Sequence, residues 1–214
     1  LKAEQLKMDF MKITIKQILF ILFFLSSSIA LADKLEYDDG TYVGETFMGI
    51  PHGKGIMEWI DGDTYEGSWI HGDRVGKGKF ETADGDTYSG EFKDNVPNGR
   101  GTYEYANGIK HVGYYVNGLR DGKGTMTFVN GDKFVGTFKE GDTNGEGKFY
   151  YIDGDVFEGF YKNGERNGEG TLTFGDGSSM SGMFVDDMAE GKHKMTNPDG
   201  STEILEFKNG VLVE

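Results

Sequence analysis

The stretch "YEGSWIHGDRVGKGKFETADGDT", Tyr65 to Thr87, sets five glycines, Gly67, Gly72, Gly76, Gly78 and Gly85, among rings and charges. The next stretch, "YSGEFKDNVPNGRGTYEYANGIK", places Gly90, Gly99, Gly101 and Gly108 at the same offsets. Only Asn95 breaks the match, standing where the first stretch has Gly72. A fixed period is the mark of a repeat architecture, and the frame extends in both directions. Its opening position is filled by Tyr42, Tyr65, Tyr88, His111, Phe134, Phe157 and Met180, always 23 residues apart. Two residues after each opener stands a glycine, from Gly44 to Gly182. A second pair, Gly53/Gly55 in the first copy, recurs through Gly168/Gly170, and the seventh copy keeps Gly191 but has His193 as its partner. Seven copies therefore cover residues 42–202 without insertion or deletion, with 33–41 as a lead-in and 203–214 as a degenerate cap.

Within a copy the hydrophobic period is two. Tyr65, Gly67 and Trp69 alternate with Thr64, Glu66 and Ser68, and Gly78 and Phe80 alternate with Lys77 and Lys79. Alternation over short runs, bounded by Gly, Asn and Asp, predicts two strands of a hairpin per copy. Boundary turns such as Asp61–Asp63, Asp84–Asp86 and Asp153–Asp155 supply residues that tolerate tight turns. A glycine inside a strand normally weakens it. Here the strand glycines share a face with the large rings and leave room for them.

The composition agrees with an ordered, acidic, glycine-rich chain. There are 35 glycines in 214 residues, no Gly-X-Y period and only three prolines, which excludes collagen and flexible linker. Aromatics at 14% exclude a disordered polyelectrolyte despite a net charge of −14. With no cysteine there is neither a disulfide framework nor a thiolate metal site. The N-terminal "MKITIKQILFILFFLSSSIALA", from Met11, has a basic start, an apolar run and an Ala-x-Ala ending, the pattern of a secretory signal peptide cleaved after Ala32. Its alternative is an uncleaved membrane anchor, for which the apolar run Ile18–Leu25 is short. Residues 1–32 are thus an upstream extension plus leader, and their removal takes the net charge to −16. The expected location is periplasmic or secreted. Such a charge opposes nucleic acid and anionic lipid.

The pattern Y-x-G-x(4–5)-G, then G-x-G and an aromatic-bearing second strand, resembles the MORN repeat (membrane occupation and recognition nexus). "YEGSWIHGDRVGKGKF" is close to that family's consensus, and the resemblance covers 161 of 214 residues. It implies an all-β fold, an elongated, twisted, single-layer antiparallel sheet of tandem hairpins.

No catalytic motif stands out. "GDRVGKG" and "GLRDGKGT" have the wrong spacing for a phosphate loop and recur as the repeat frame. Four histidines, His52, His71, His111 and His193, read as packed or solvated side chains. The acidic turn residues Asp61, Asp63, Asp84, Asp86, Asp153 and Asp155 could form weak Ca²⁺ sites, but turn chemistry accounts for them without metal, and no metal or cofactor is expected. A charged strip, Lys54, Lys77, Arg100 and Lys123, continues as Glu146 and Glu169 in the same slot. It is either a polarity for docking or a solvated row. The leading partner-binding candidates are the rings Trp69, Phe92, Tyr115, Phe138, Tyr161 and Phe184, together with Tyr103, Tyr105 and Tyr151. A sheet with no second layer is expected to leave part of such a face open to a protein or peptide. The expectation is a non-catalytic exported scaffold. Lipid association and end-to-end self-assembly are the alternatives, and the oligomeric state is open.

Overall fold

The computed structural model describes residues 32–213; the expected leader lies outside the described residues apart from Ala32. Those residues form one 17-stranded antiparallel sheet in which every strand pairs with its neighbours in sequence. The lead-in is strand β1 (Asp33–Tyr37). Seven hairpins follow: β2 (Gly40–Phe47) with β3 (Ile50–Trp59), β4 (Thr64–Ile70) with β5 (Asp73–Glu81), β6 (Thr87–Lys93) with β7 (Val96–Glu104), and β8 (Lys110–Val116) with β9 (Leu119–Thr127). They continue as β10 (Lys133–Lys139) with β11 (Asp142–Tyr150), β12 (Val156–Lys162) with β13 (Glu165–Thr173), and β14 (Ser179–Val185) with β15 (Met188–Thr196). An eighth, shorter hairpin, β16 (Thr202–Lys208) with β17 (Val211–Leu212), closes the end. The all-β, single-layer hairpin sheet is the one expected from the repeat.

The register puts the strand glycines opposite one another from β2 to β14. Gly44 pairs with Gly55, Gly55 with Gly67, and the row runs on through Gly78, Gly90, Gly101 and further to Gly182. Onto this row lie the opener rings. A Cβ on Gly78 would stand 2.6 Å from Cε2 of Tyr65, and one on Gly101 would stand 2.5 Å from Cε2 of Tyr88. Each opener of the first six copies therefore covers both glycines of its own hairpin. Burial of Tyr42, Tyr65 and Tyr88 pushes their hydroxyls up to about 12. The retained protons are donated to the carbonyls of Glu45, Ser68 and Glu91.

Between openers sit the rings of the second row, edge to face. From Tyr42 the contacts pass to Trp69, Tyr65, Phe92, Tyr88, Tyr115, His111 and Phe138. They go on to Phe134, Tyr161, Phe157, Phe184, His193 and Phe207. Along this chain the centroids are 4.7–5.7 Å apart and the planes 77–90° apart. T-shaped pairs of this kind add about 0.5–1.5 kcal/mol each beyond area burial. Two apolar clusters, Tyr42 to Tyr115 and Phe134 to Ala189, meet at His111.

His193 is not a lost glycine position. Its ring lies over Gly182, whose Cβ would come within 2.6 Å of Nε2. The opener of that copy is Met180, so the covering ring is supplied from the second strand instead, and the ring chain continues to Phe207.

The two ends of each hairpin are tied to the next copy in different ways. At the tips, two-residue turns place both residues at positive φ, as in Asn117 (49°) and Gly118 (84°). Asn95 takes the glycine place at 72°, a region Asn tolerates, and its side chain accepts from the Arg74 N–H and donates to Asp73. At the boundary turns, Asp61 and Asp153 each accept from the amide two residues on. Asp63, Asp86 and Asp155 accept the amides of Ala83, Ala106 and Gly175 one copy later, at 2.8–2.9 Å.

Gly78→Ala would drive a methyl into Tyr65 and should destabilise the sheet by about 1–3 kcal/mol, whereas Lys79→Ala on the opposite face should cost less than about 0.5 kcal/mol, both read by urea unfolding. His111 is fully buried and bonded through Nδ1 to the Tyr115 hydroxyl at 2.7 Å. Burial, then the nearby Arg120 charge, pulls its pKa down to about 4. The unfolded chain takes up that proton first, so this stability is complete above about pH 6.5 and lost as pH falls to 4. The native chain should lose about 3 kcal/mol more than His111→Phe over that window.

Candidate functional site

The ring face is the core of the sheet and not an open groove. Trp69, Phe92, Tyr115, Phe138, Tyr161 and Phe184 are no more than 7% exposed. Tyr103, Tyr105 and Tyr151 are half-buried. The first six rings are therefore closed to a docking partner, contrary to the expectation, for two physical causes. The edge-to-face contacts fill the space between copies, and arginines lie over the rings. Arg74 sits 5.1–6.0 Å from the ring centroids of Trp59, Tyr65, Phe80 and Phe92. Arg120 lies over Phe138, and Arg166 over Phe157 and Phe184. These residues are nine beyond the opener of copies two, four and six, where the intervening copies have Pro51, Pro97, Thr143 and Ala189. Arg74 thus spans rings of three successive copies and Arg166 rings of two.

An open concavity lies on the opposite face. It is a groove of about 1200 Å³ running across strands β7 to β15. Glycines floor it, because the ladder from Gly113 to Gly182 carries no side chain on either face of the sheet. One wall is the cross-strand row Val112, Thr125, Val135, Lys148, Glu158, Thr171 and Ser181. The other contains Arg100, Tyr114, Lys123, Thr137, Glu146, Phe160, Glu169, Met183 and Lys192. Cross-strand partners alternate along it, Arg100 with Tyr114, Lys123 with Thr137, Glu146 with Phe160 and Glu169 with Met183. Tyr114 is 49% exposed, and Phe160 and Met183 are each 45% exposed.

The charged strip seen in the sequence is therefore one wall of this groove. Arg100, Lys123, Glu146 and Glu169 are all exposed within it. Lys54 and Lys77 are exposed on the same slot of earlier strands, outside the groove, with Lys54 donating to Ser68 at 2.8 Å. Across the other wall Lys148 and Glu158 pair at 2.6 Å, and that bond holds the lysine above its usual range.

What sequence reading missed is the apolar half of this wall. Tyr114, Phe160 and Met183 occupy the position three beyond the opener, which is Glu45, Ser68, Glu91 and Thr137 in the other copies. That position lies on the polar side of the alternation, so a large apolar residue there is an exception to the pattern. The exception was the signal.

The six candidate calcium carboxylates do not converge. Asp61, Asp63, Asp86, Asp153 and Asp155 are engaged in the turn bonds above, with Asp86 also accepting from the Tyr103 hydroxyl at 2.9 Å, and Asp84 is exposed. Among the described residues no group of three or more His, Asp or Glu side chains is placed to hold a metal ion. No described helix is long and apolar enough to cross a membrane. His52 and His71 stack 5.3 Å apart beside Phe47 at the tips of the first two hairpins.

The sequence profile of the MORN repeat matches the chain at residues 42–64, 65–87, 88–110, 111–133, 134–156, 157–179 and 181–202. No characterised sequence is a significant match. Among solved structures, the chain is similar to the TCP domain of SAS-4 (dCPAP) from Drosophila melanogaster, solved in complex with a proline-rich motif of Ana2. The identity is 14%, the match covers 86% of this chain and 94% of that one, and the TM-score is 0.49. It is also similar to the TCP10 domain of Danio rerio CPAP, at 11% identity, 86% and 93% coverage and a TM-score of 0.37. Seven consecutive profile matches, each coinciding with one ring-covered hairpin and together spanning most of the sequence, make this chain a member of the MORN-repeat family.

Proposed function

We propose that this protein is a non-catalytic, exported scaffold that binds a protein partner through the glycine-floored groove. The observation that carries the reading is the exposure of Tyr114, Phe160 and Met183 in a groove of about 1200 Å³, on a sheet whose opposite face already serves as the core. Large apolar side chains exposed at intervals along one groove of an acidic protein mark a contact site, and aromatic residues supply contact area at low entropic cost. The absence of a catalytic motif from the sequence supports a binding role over an enzymatic one, and the leader-like segment ahead of Ala32 supports export.

A lipid-surface role has less support, because a net charge of −14 repels anionic headgroups. End-to-end assembly has one favourable observation, the exposure of Ile204, Val211 and Leu212 at the C-terminal edge of the sheet.

The test is capture from an envelope or secreted extract, with the native protein and a Tyr114→Ser/Phe160→Ser variant as parallel baits. Circular dichroism verifies that both are folded. A partner held by the native chain and lost by the variant is the expected result. Equal retention by both baits would sink the groove reading, and flotation of the native chain with liposomes would favour lipid instead.

A further inference from the structure

The groove wall is ordered by charge as well as by shape. Tyr114 on β8 lies across from Arg100 on β7, with Lys123 on the next strand, β9. Phe160 on β12 lies across from Glu146 on β11, with Glu169 on β13. Each ring is thus bracketed by two like charges, cationic for the first and anionic for the second. Among the described residues none of these four charges belongs to an ion pair, whereas Lys148 and Glu158 on the facing wall neutralise each other.

Both rings are held at their roots by the same backbone feature. Gly122 (φ 112°) and Gly168 (φ 123°) lie against the Cβ atoms of Tyr114 and Phe160, where an added methyl would come within 3.2 Å and 3.0 Å. The register slips beside each of them, between Gly113 and Tyr115 and between Gly159 and Tyr161. The two bracketed rings are equivalent, fixed stations on one wall.

We propose, building on the groove reading above, that the occupant is an extended polypeptide segment with an acidic side chain at Tyr114, between Arg100 and Lys123, and a basic side chain over Phe160, between Glu146 and Glu169. A lysine or arginine lays its aliphatic stem on the Phe160 ring and its charge against the ring face and two carboxylates. A carboxylate at the Tyr114 station meets two cations and the phenol hydroxyl. Four strand steps separate the stations, about 19 Å at ~4.8 Å per strand, which an extended chain spans in about six residues. A polyanion such as nucleic acid, or an anionic lipid surface, would set its charge against Glu146 and Glu169. A uniformly basic segment would meet Arg100 and Lys123. Only a segment of mixed sign satisfies both stations.

The test uses the full chain as bait for a phage-displayed library of random 12-residue peptides, at moderate ionic strength because exposed charges are screened by salt. Enriched peptides should carry one acidic and one basic residue about five to seven positions apart. A fluorescein-labelled synthetic copy of one such peptide should bind Glu146→Lys/Glu169→Lys at least tenfold more weakly than the native chain. Changing its basic residue to Glu should restore binding to that variant, a rescue that damage to the fold could not produce. Failure to enrich peptides, enrichment without the paired charges, or indifference to the charge reversal would each overturn the inference. The groove reading is separable: peptides without paired charges that are still lost on Tyr114→Ser/Phe160→Ser would leave the groove in place and remove only the charge pattern. Peptides that bind that variant unchanged would remove both.

Discussion

A ring lying flat on a pair of glycines is the contact on which the rest of this molecule depends. A single-layer sheet has no second sheet or helix to bury its apolar face, so the core must be made within the thickness of one layer and its own side chains. Removing the side chain from one position in each strand from β2 to β14 opens a trough along the sheet, and the openers Tyr42, Tyr65, Tyr88, His111, Phe134 and Phe157 fill it. The second-row rings then stand edge-on between the openers, and each hairpin is held to the next by rings as well as by backbone bonds. One hairpin could not bury its rings alone; the stack does so cooperatively.

The same constraint explains the residues that depart from the frame. His111 is tolerated as an opener because its ring fits the glycine trough and its Nδ1 finds the Tyr115 hydroxyl, at the junction of the two apolar clusters. Where the last copy has the flexible Met180 as its opener, His193 moves into the ladder from the other strand and covers Gly182. Arginines at alternate copies finish the job by roofing the rings, Arg74 and Arg166 across copy boundaries.

Committing one face to the core leaves the other free. Turn carboxylates and tip-turn amides tie successive hairpins together at both ends, so the groove between them is presented on a braced surface. A partner would meet walls whose backbone is already in place, which reduces the ordering cost of binding.

The 23-residue frame, the two strands per copy, the shared face of rings and glycines and the family itself were all readable along the chain, because each depends on periodicity and on turn chemistry a few residues long. The strip from Lys54 to Glu169 was readable for the same reason, as one slot repeated. Whether the ring face stays open was not. Alternation reveals which side chains share a face, but only their packing across copies, with Arg74, Arg120 and Arg166 over them, shows that the face is filled. The place of Asp63, Asp86 and Asp155 was equally non-local, since each accepts an amide about 20 residues away in the next turn. The groove depends on the same long-range order: Tyr114, Phe160 and the four charges that bracket them lie on six different strands between β7 and β13, and become one surface only once the hairpins are stacked in register.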